Sequence, residues 1–149
     1  MQVELVQTQG DVDAVVAMAR EHPNPEYDCT FEYFTWVLGH MITTPNIRGW
    51  VLKEGGEYVG YSVGMLSQNI THQISVFDVY LKPEYRGKGN ILQFVESWCQ
   101  WAMQTGLKRV VWMSKRPLKV YQRYLRKDIQ TYYSDGKEVF AYSSYMKEV

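Results

Sequence analysis

The sequence predicts a mixed α/β (α+β) fold, with a mostly antiparallel central sheet of about seven strands flanked by about four helices. Three observations predict it. Apolar and polar residues alternate in several short runs, apolar stripes at helical spacing fall between those runs, and a glycine-paired hairpin precedes a strand, glycine loop, helix and strand in succession. The resulting order is β-α-α-β-β-β-α-β-α-β-β, an antiparallel region feeding a later βαβ-like unit.

Val3 to Gln7 alternates and reads as a strand, after which Asp11 is placed to cap a helix reaching about Arg20, with Val12, Val15, Val16 and Ala19 on one stripe. The prolines of His22 to Asp28 mark a loop. Beyond it Thr30 precedes a Phe31, Phe34, Val37, Leu38, Met41 stripe, a second helix. Trp50 to Lys53 and Tyr58 to Leu66 form a hairpin around Glu54-Gly55-Gly56-Glu57, because paired glycines supply the positive φ that a tight turn requires. Ile74 to Lys82 is the next strand, ended by Pro83. A helix follows from about Ile91 to Thr105, terminated by Gly106. Arg109 to Met113 is a short strand, Pro117 opens a helix to about Lys127, and Ile129 to Tyr133 and Val139 to Met146 are two closing strands.

A chain of 149 residues, 46% hydrophobic and 15% aromatic, has the size and composition of one compact domain over residues 1–149. Its 16 basic and 16 acidic residues cancel, but they are unevenly placed. Met1 to Leu81 holds three basic and ten acidic residues, and Lys82 to Lys127 holds eleven basic and two acidic. The basic middle suits phosphate groups and the acidic first half suits a cationic substrate. Cys29 and Cys99 lie far apart and His22, His40 and His72 show no ligand spacing, so neither a disulfide framework nor a metal is expected. The amino terminus lacks the layout of a signal peptide and no apolar run approaches membrane-spanning length. The expectation is a cytoplasmic protein without a membrane partner; a homodimer is the assembly left open.

The segment that carries chemistry is Val79-Tyr80-Leu81-Lys82-Pro83-Glu84-Tyr85-Arg86-Gly87-Lys88-Gly89-Asn90, between a strand and a helix. A helix start presents unpaired backbone N–H groups and partial positive charge, and glycines let backbone approach a ligand closely, so this junction can cradle a pyrophosphate. Arg86 and Lys88 add charge. It matches neither Gly-x-x-x-x-Gly-Lys-Ser/Thr nor Gly-x-Gly-x-x-Gly.

This segment resembles the acetyl-CoA loop of the GNAT N-acetyltransferase superfamily, Arg/Gln-x-x-Gly-x-Gly/Ala after an apolar-x-Pro step, here Arg86 to Ile91 after Leu81-Lys82-Pro83. The likeness continues through the helix to Val111, and the order of elements agrees along the whole chain. It implies a sheet splayed in a V between strands 4 and 5, with acetyl-CoA as cosubstrate. The pyrophosphate would lie on Arg86, Gly87, Lys88, Gly89, Asn90 and Ile91, and the pantetheine arm would pair with the backbone of Val79, Tyr80 and Leu81. Ile91 departs from the pattern, standing where the family has a small residue. A side chain turned into the core is compatible with binding, and one turned toward the ligand obstructs it.

The resemblance further implies direct attack of an amine on the thioester, aided by a tyrosine that protonates the departing thiolate. Counting from Gly106, the family's Tyr-x-x-x-Gly-Phe step falls on Tyr124, with Tyr121 one turn earlier as the reserve, although Asp128-Ile129 stands in place of Gly-Phe. The family's strand-4 glutamate corresponds to Ser75. Asp78 is the nearest carboxylate and the candidate base, acting through water; a structural bond to backbone or to a neighbouring tyrosine is the alternative. The acidic and aromatic stretch Glu26 to Tyr33 borders the expected acceptor site, where charge and cation–π attraction suit an ammonium group.

Two other readings fit the same residues. A catalytically inactive module of this fold, used for binding or assembly, accommodates Ile91, Ser75 and the missing Gly-Phe. A nucleic-acid-binding domain would use Lys108, Arg109, Lys115, Arg116, Lys119, Arg123, Arg126 and Lys127 with Tyr121 and Tyr124. The neutral overall charge ranks this third.

Overall fold

A computed structural model of the chain describes residues 1–21, 36, 38–67, 73–105, 109–114 and 140–145. Its described strands form one six-stranded sheet in the order of the sequence: β1 (Gln2–Leu5), β2 (Ile47–Glu54), β3 (Glu57–Ser67), β4 (Gln73–Leu81), β5 (Arg109–Ser114) and β6 (Phe140–Tyr145). Every neighbouring pair is antiparallel except β4 with β5, which is parallel. Helix α1 (Gln9–Glu21) follows β1, and α2 (Ile91–Thr105) makes the crossover from β4 to β5. Trp36, Leu38 and Gly39 also have helical backbone, at the end of the expected second helix. The expected helix from Pro117 and the strand Ile129 to Tyr133 lie outside the described residues.

Two of the expected boundaries are corrected. β2 begins at Ile47 rather than Trp50, because Ile47, Arg48 and Gly49 pair with Met65, Gly64 and Val63. In α1 the cap is Thr8 and not Asp11: the Thr8 hydroxyl accepts from the Asp11 N–H at 3.1 Å, while Asp11 Oδ2 accepts from the N–H groups of Gln7 and Thr8. This is a reciprocal capping box with aspartate at its third helical position. The β2–β3 hairpin is as expected, with Gly55 and Gly56 at φ 57° and 83° between the paired Glu54 and Glu57.

Helix α2 covers one face of the sheet. Ile91, Phe94, Val95, Trp98, Trp101 and Ala102 recur at helical spacing, all buried, against Trp50, Leu52, Ile74, Val76, Leu81 and Val110. Each large side chain so buried contributes about 1.5–3 kcal/mol. The opposite face carries Val51, Tyr61, Val63 and Tyr80 beneath Val12, Val15, Met18 and Ala19 of α1, with Leu38 and Met41 alongside. The sheet thus separates two cores.

Strand β4 changes face partway. Val76 pairs with Gly64 and Asp78 with Val63, which leaves Phe77 without a partner on β3. This bulge inverts the alternation. Ile74 and Val76 before it, and Val79 and Leu81 after it, all face α2, whereas Asp78 and Tyr80 turn toward α1. The pairing of β4 with β5 ends nearby: it comprises Gln73 with Arg109, Ile74 with Val110 and Ser75 with Val111. Beyond Ser75 the two parallel strands part, and this is the V-shaped splay.

Candidate active site

The loop between β4 and α2 is built by its prolines and glycines. Pro83–Tyr85 forms a single 3-10 turn, closed by Tyr85 N–H to the Lys82 carbonyl at 2.9 Å. Gly87 and Gly89 follow at φ 76° and 80°, a region costly for any residue with a side chain. Asn90 is buried, and its Nδ2 donates to the Tyr85 carbonyl at 2.9 Å, which folds the loop back on itself. Among the described residues the backbone N–H groups of residues 87 to 91 find no acceptor. Gly87, Lys88 and Gly89 are exposed, and the space in front of Gly87 holds no atom within 4 Å of where a Cβ would stand. A row of free donors at the start of a 15-residue helix is an anion cradle, and its open front fits a pyrophosphate.

Ile91 resolves in favour of the core. It is buried with Phe94, Val95 and Leu81, so its side chain does not project into the cradle. Arg86 behaves differently from a simple charge donor. Its Nε donates to the Leu81 carbonyl at 2.8 Å and its guanidinium stands 5.5 Å from the centre of the Tyr80 ring, so it also splices the loop to the end of β4. Burial, with the charge of Glu21 next, pushes the Tyr80 phenol above its ordinary range, and the guanidinium opposes this.

Asp78 lies at the apex of the splay, buried, three residues or about 10 Å of strand from Leu81. Tyr61 donates its hydroxyl hydrogen to Asp78 Oδ2. The Asp78 carbonyl accepts from Ser62 Oγ at 3.2 Å, and Ser62 Oγ in turn accepts from Trp98 Nε1 at 2.9 Å. The neighbouring tyrosine expected as a structural partner is therefore present, and it is Tyr61. Val79 is half-buried against the α2 core, and Val79, Tyr80 and Leu81 pair on one side with Ser62, Tyr61 and Gly60 of β3.

The candidate tyrosines Tyr124 and Tyr121 lie outside the described residues, as do Glu26 to Tyr33 and, apart from Arg109, the basic residues of the nucleic-acid reading. Tyr61, Ser62 and Trp98 are the site residues that the sequence did not single out. A signal existed for Tyr61: a buried tyrosine in a strand core must find an acceptor for its hydroxyl, and Asp78 is the carboxylate of the adjacent strand. A shallow groove lined by Leu5, Met41, Thr44, Ile47 and Arg48 lies at the opposite end of the sheet from the loop. Among the described residues no group of three acidic, cysteine or histidine side chains is arranged to hold a metal, and no helix is long and apolar enough to cross a membrane.

The fold is thus an α/β domain whose sheet splays between two parallel strands, with a glycine-turned helix start at the mouth of the gap. Residues 11–125 match the family model described as the acetyltransferase (GNAT) family, and the chain belongs to that family. It is an acetyltransferase by class. No curated protein matches the sequence. Among solved structures, the chain is similar to a spermidine N-acetyltransferase SpeG chimera from Vibrio cholerae and hSSAT, at 12% identity and a TM-score of 0.68 over 98% of this chain and 96% of that one. The PaiA N-acetyltransferase of Thermoplasma acidophilum in complex with coenzyme A gives 16% identity and a TM-score of 0.67, over 97% and 99%. The enzyme AAC(6')-Iy in complex with a bisubstrate analog, CoA-S-monomethyl-acetylneamine, gives 11% and 0.65, over 91% and 99%. At such identities the likeness is one of fold.

Proposed function

We propose that this chain, as a single domain, transfers the acetyl group of acetyl-CoA to a primary amine of a small molecule or peptide by direct attack. The observation that carries the proposal is the row of N–H groups at residues 87 to 91 that have no acceptor among the described residues, opening beside the part of β4 that has left β5. The pyrophosphate would be held by those donors with Lys88 and Arg86, and the backbone of Val79 to Leu81 would align the arm. Two of the similar structures support this reading: one is named a spermidine N-acetyltransferase, and another holds the bisubstrate analog CoA-S-monomethyl-acetylneamine. The excess of carboxylates in the first half of the chain favours a cationic acceptor.

In this reaction the amine nitrogen attacks the thioester carbonyl, a C–N bond forms and the C–S bond breaks. The proton lost by the amine passes to Asp78, directly or through water. The departing thiolate takes a proton from Tyr124, with Tyr121 one helical turn away as the alternative donor. A positioned acid or base contributes about 10² to 10⁴ in rate. The test is release of free thiol from acetyl-CoA over a panel of polyamines, amino acids, lysine peptides and anionic acceptors, with Tyr124→Phe and Tyr121→Phe beside the wild type. The expected result is turnover of cationic amines, with kcat lowered at least a hundredfold in Tyr124→Phe alone. Turnover confined to anionic acceptors contradicts the amine assignment, and full activity in Tyr124→Phe removes the tyrosine from the mechanism.

A further inference from the structure

We infer that Tyr61 is a positioning residue for acyl transfer, its hydroxyl holding the Asp78 carboxylate in the orientation in which it receives the amine proton. The inference rests on the reading of Asp78 as the base. Strand β4 places Asp78 where the sheet opens, but the Phe77 bulge is what turns its side chain from the α2 core toward the α1 side. The bulge sets only which face Asp78 takes, so the orientation of its carboxylate on that face comes from the bonds it makes. Two bonds from β3 reach this residue among those described. Ser62 Oγ, itself tied to Trp98 of α2, fixes the Asp78 carbonyl, and Tyr61 fixes Oδ2.

Tyr61 is suited to this task by its own immobility. It is fully buried, its ring is held between Val51 and Val63 in the α1-side core, and it lies against the Tyr80 ring at 5.7 Å and 34°. A buried phenol can rotate little, so its hydroxyl defines one position for the carboxylate oxygen that accepts from it. Through Tyr80 and the guanidinium of Arg86 the same side of β4 extends to the anion loop. The residue that holds the base and the residue that splices the loop therefore share one aromatic pair. A hydrogen bond to a carboxylate also stabilises its charged, proton-accepting form at the moment the amine arrives.

The test is a double-mutant cycle on the wild-type enzyme, Tyr61→Phe, Asp78→Asn and the double variant, assayed with the best amine of the panel and with folding checked by thermal denaturation. Tyr61→Phe keeps the ring and removes only the hydroxyl. We expect kcat to fall about tenfold in Tyr61→Phe, the scale of one hydrogen bond to a charged group, at unchanged KM for acetyl-CoA. In Asp78→Asn it should fall by about 10² or more, and the double variant should be no slower than Asp78→Asn. A purely structural tyrosine would instead lower stability and leave kcat per folded molecule intact. If Asp78→Asn is slow while Tyr61→Phe is not, the inference is overturned and the base stands. If Asp78→Asn is fully active, or the wild type turns over no amine, the base reading falls and takes the inference with it. Should Tyr61→Phe not fold, 4-fluorophenylalanine at position 61, which fills the space of the hydroxyl without donating, decides: kcat lowered about tenfold supports the inference, and wild-type kcat per folded molecule overturns it.

Discussion

Asp11 binds the start of α1 to the sheet. Oδ2 accepts from the backbone of Gln7 and Thr8, Oδ1 accepts from the Tyr58 hydroxyl at 2.6 Å, and Lys53 stands 3.8 Å away, itself paired with Glu4 at 2.9 Å. Burial works against its charge, but the bonds from Tyr58, Gln7 and Thr8 outweigh it and hold the carboxyl at about 2, below its ordinary 3.8. The same bond raises the Tyr58 phenol. A carboxylate with a depressed folded value stabilises the protein above its unfolded value and loses that contribution as pH falls through the folded one. Asp11→Asn should therefore be less stable than wild type by about 1 kcal/mol at neutral pH, the usual scale of a lost cap. The difference should shrink between pH 3.8 and about 2. Urea denaturation of both proteins across that range checks this, and a constant difference would show that packing rather than charge is at stake.

At the scale of elements, β4 decides where chemistry can occur, and β3 decides the position of β4. Gly60 lies so close to the end of β4 that a Cβ there would stand 2.7 Å from the Tyr80 carbonyl oxygen and 2.7 Å from Leu81 Cδ2. Gly60→Ala must push β4 aside, and should cost about 1–3 kcal/mol of stability while weakening acetyl-CoA binding. Thermal denaturation with a binding titration measures both; wild-type values in each would mean the strands yield freely. The elements themselves were legible. Alternation located β3 and β4 to within a residue or two, and helical spacing with the flanking glycines located α2 at Ile91–Thr105. The Phe77 bulge was not legible, because a skipped residue changes pairing without changing composition. For that reason Asp78 was readable as a carboxylate near the gap, with a neighbouring tyrosine as a candidate partner, but the register that makes that partner Tyr61 was not. Asp11 misled for a related reason: threonine and aspartate three apart both satisfy the requirements of a cap, and only the bonds show which is outside the helix.

For the molecule as a whole, the two cores serve different ends. The α2 core anchors the helix whose first turn forms the anion cradle, with Asn90 and Ile91 buried immediately behind the exposed glycines. The α1 core carries the tyrosine pair and Asp78 on the other face of the same strand. In the proposed function, ligand arm and acceptor would meet at the splay from opposite sides of β4, and the family membership makes acyl transfer the class of reaction. The central claim is that acetyl-CoA binds through the backbone of this loop. The most direct measurement is calorimetric titration of acetyl-CoA into the wild type and Gly89→Val. Gly89 has φ 80° and no neighbour closer than Leu92 Cδ1 at 3.8 Å, so valine strains the loop locally without a collision in the core. The account predicts saturable binding by the wild type and none by a Gly89→Val protein that still melts cooperatively. Equal affinity in the two proteins would contradict it.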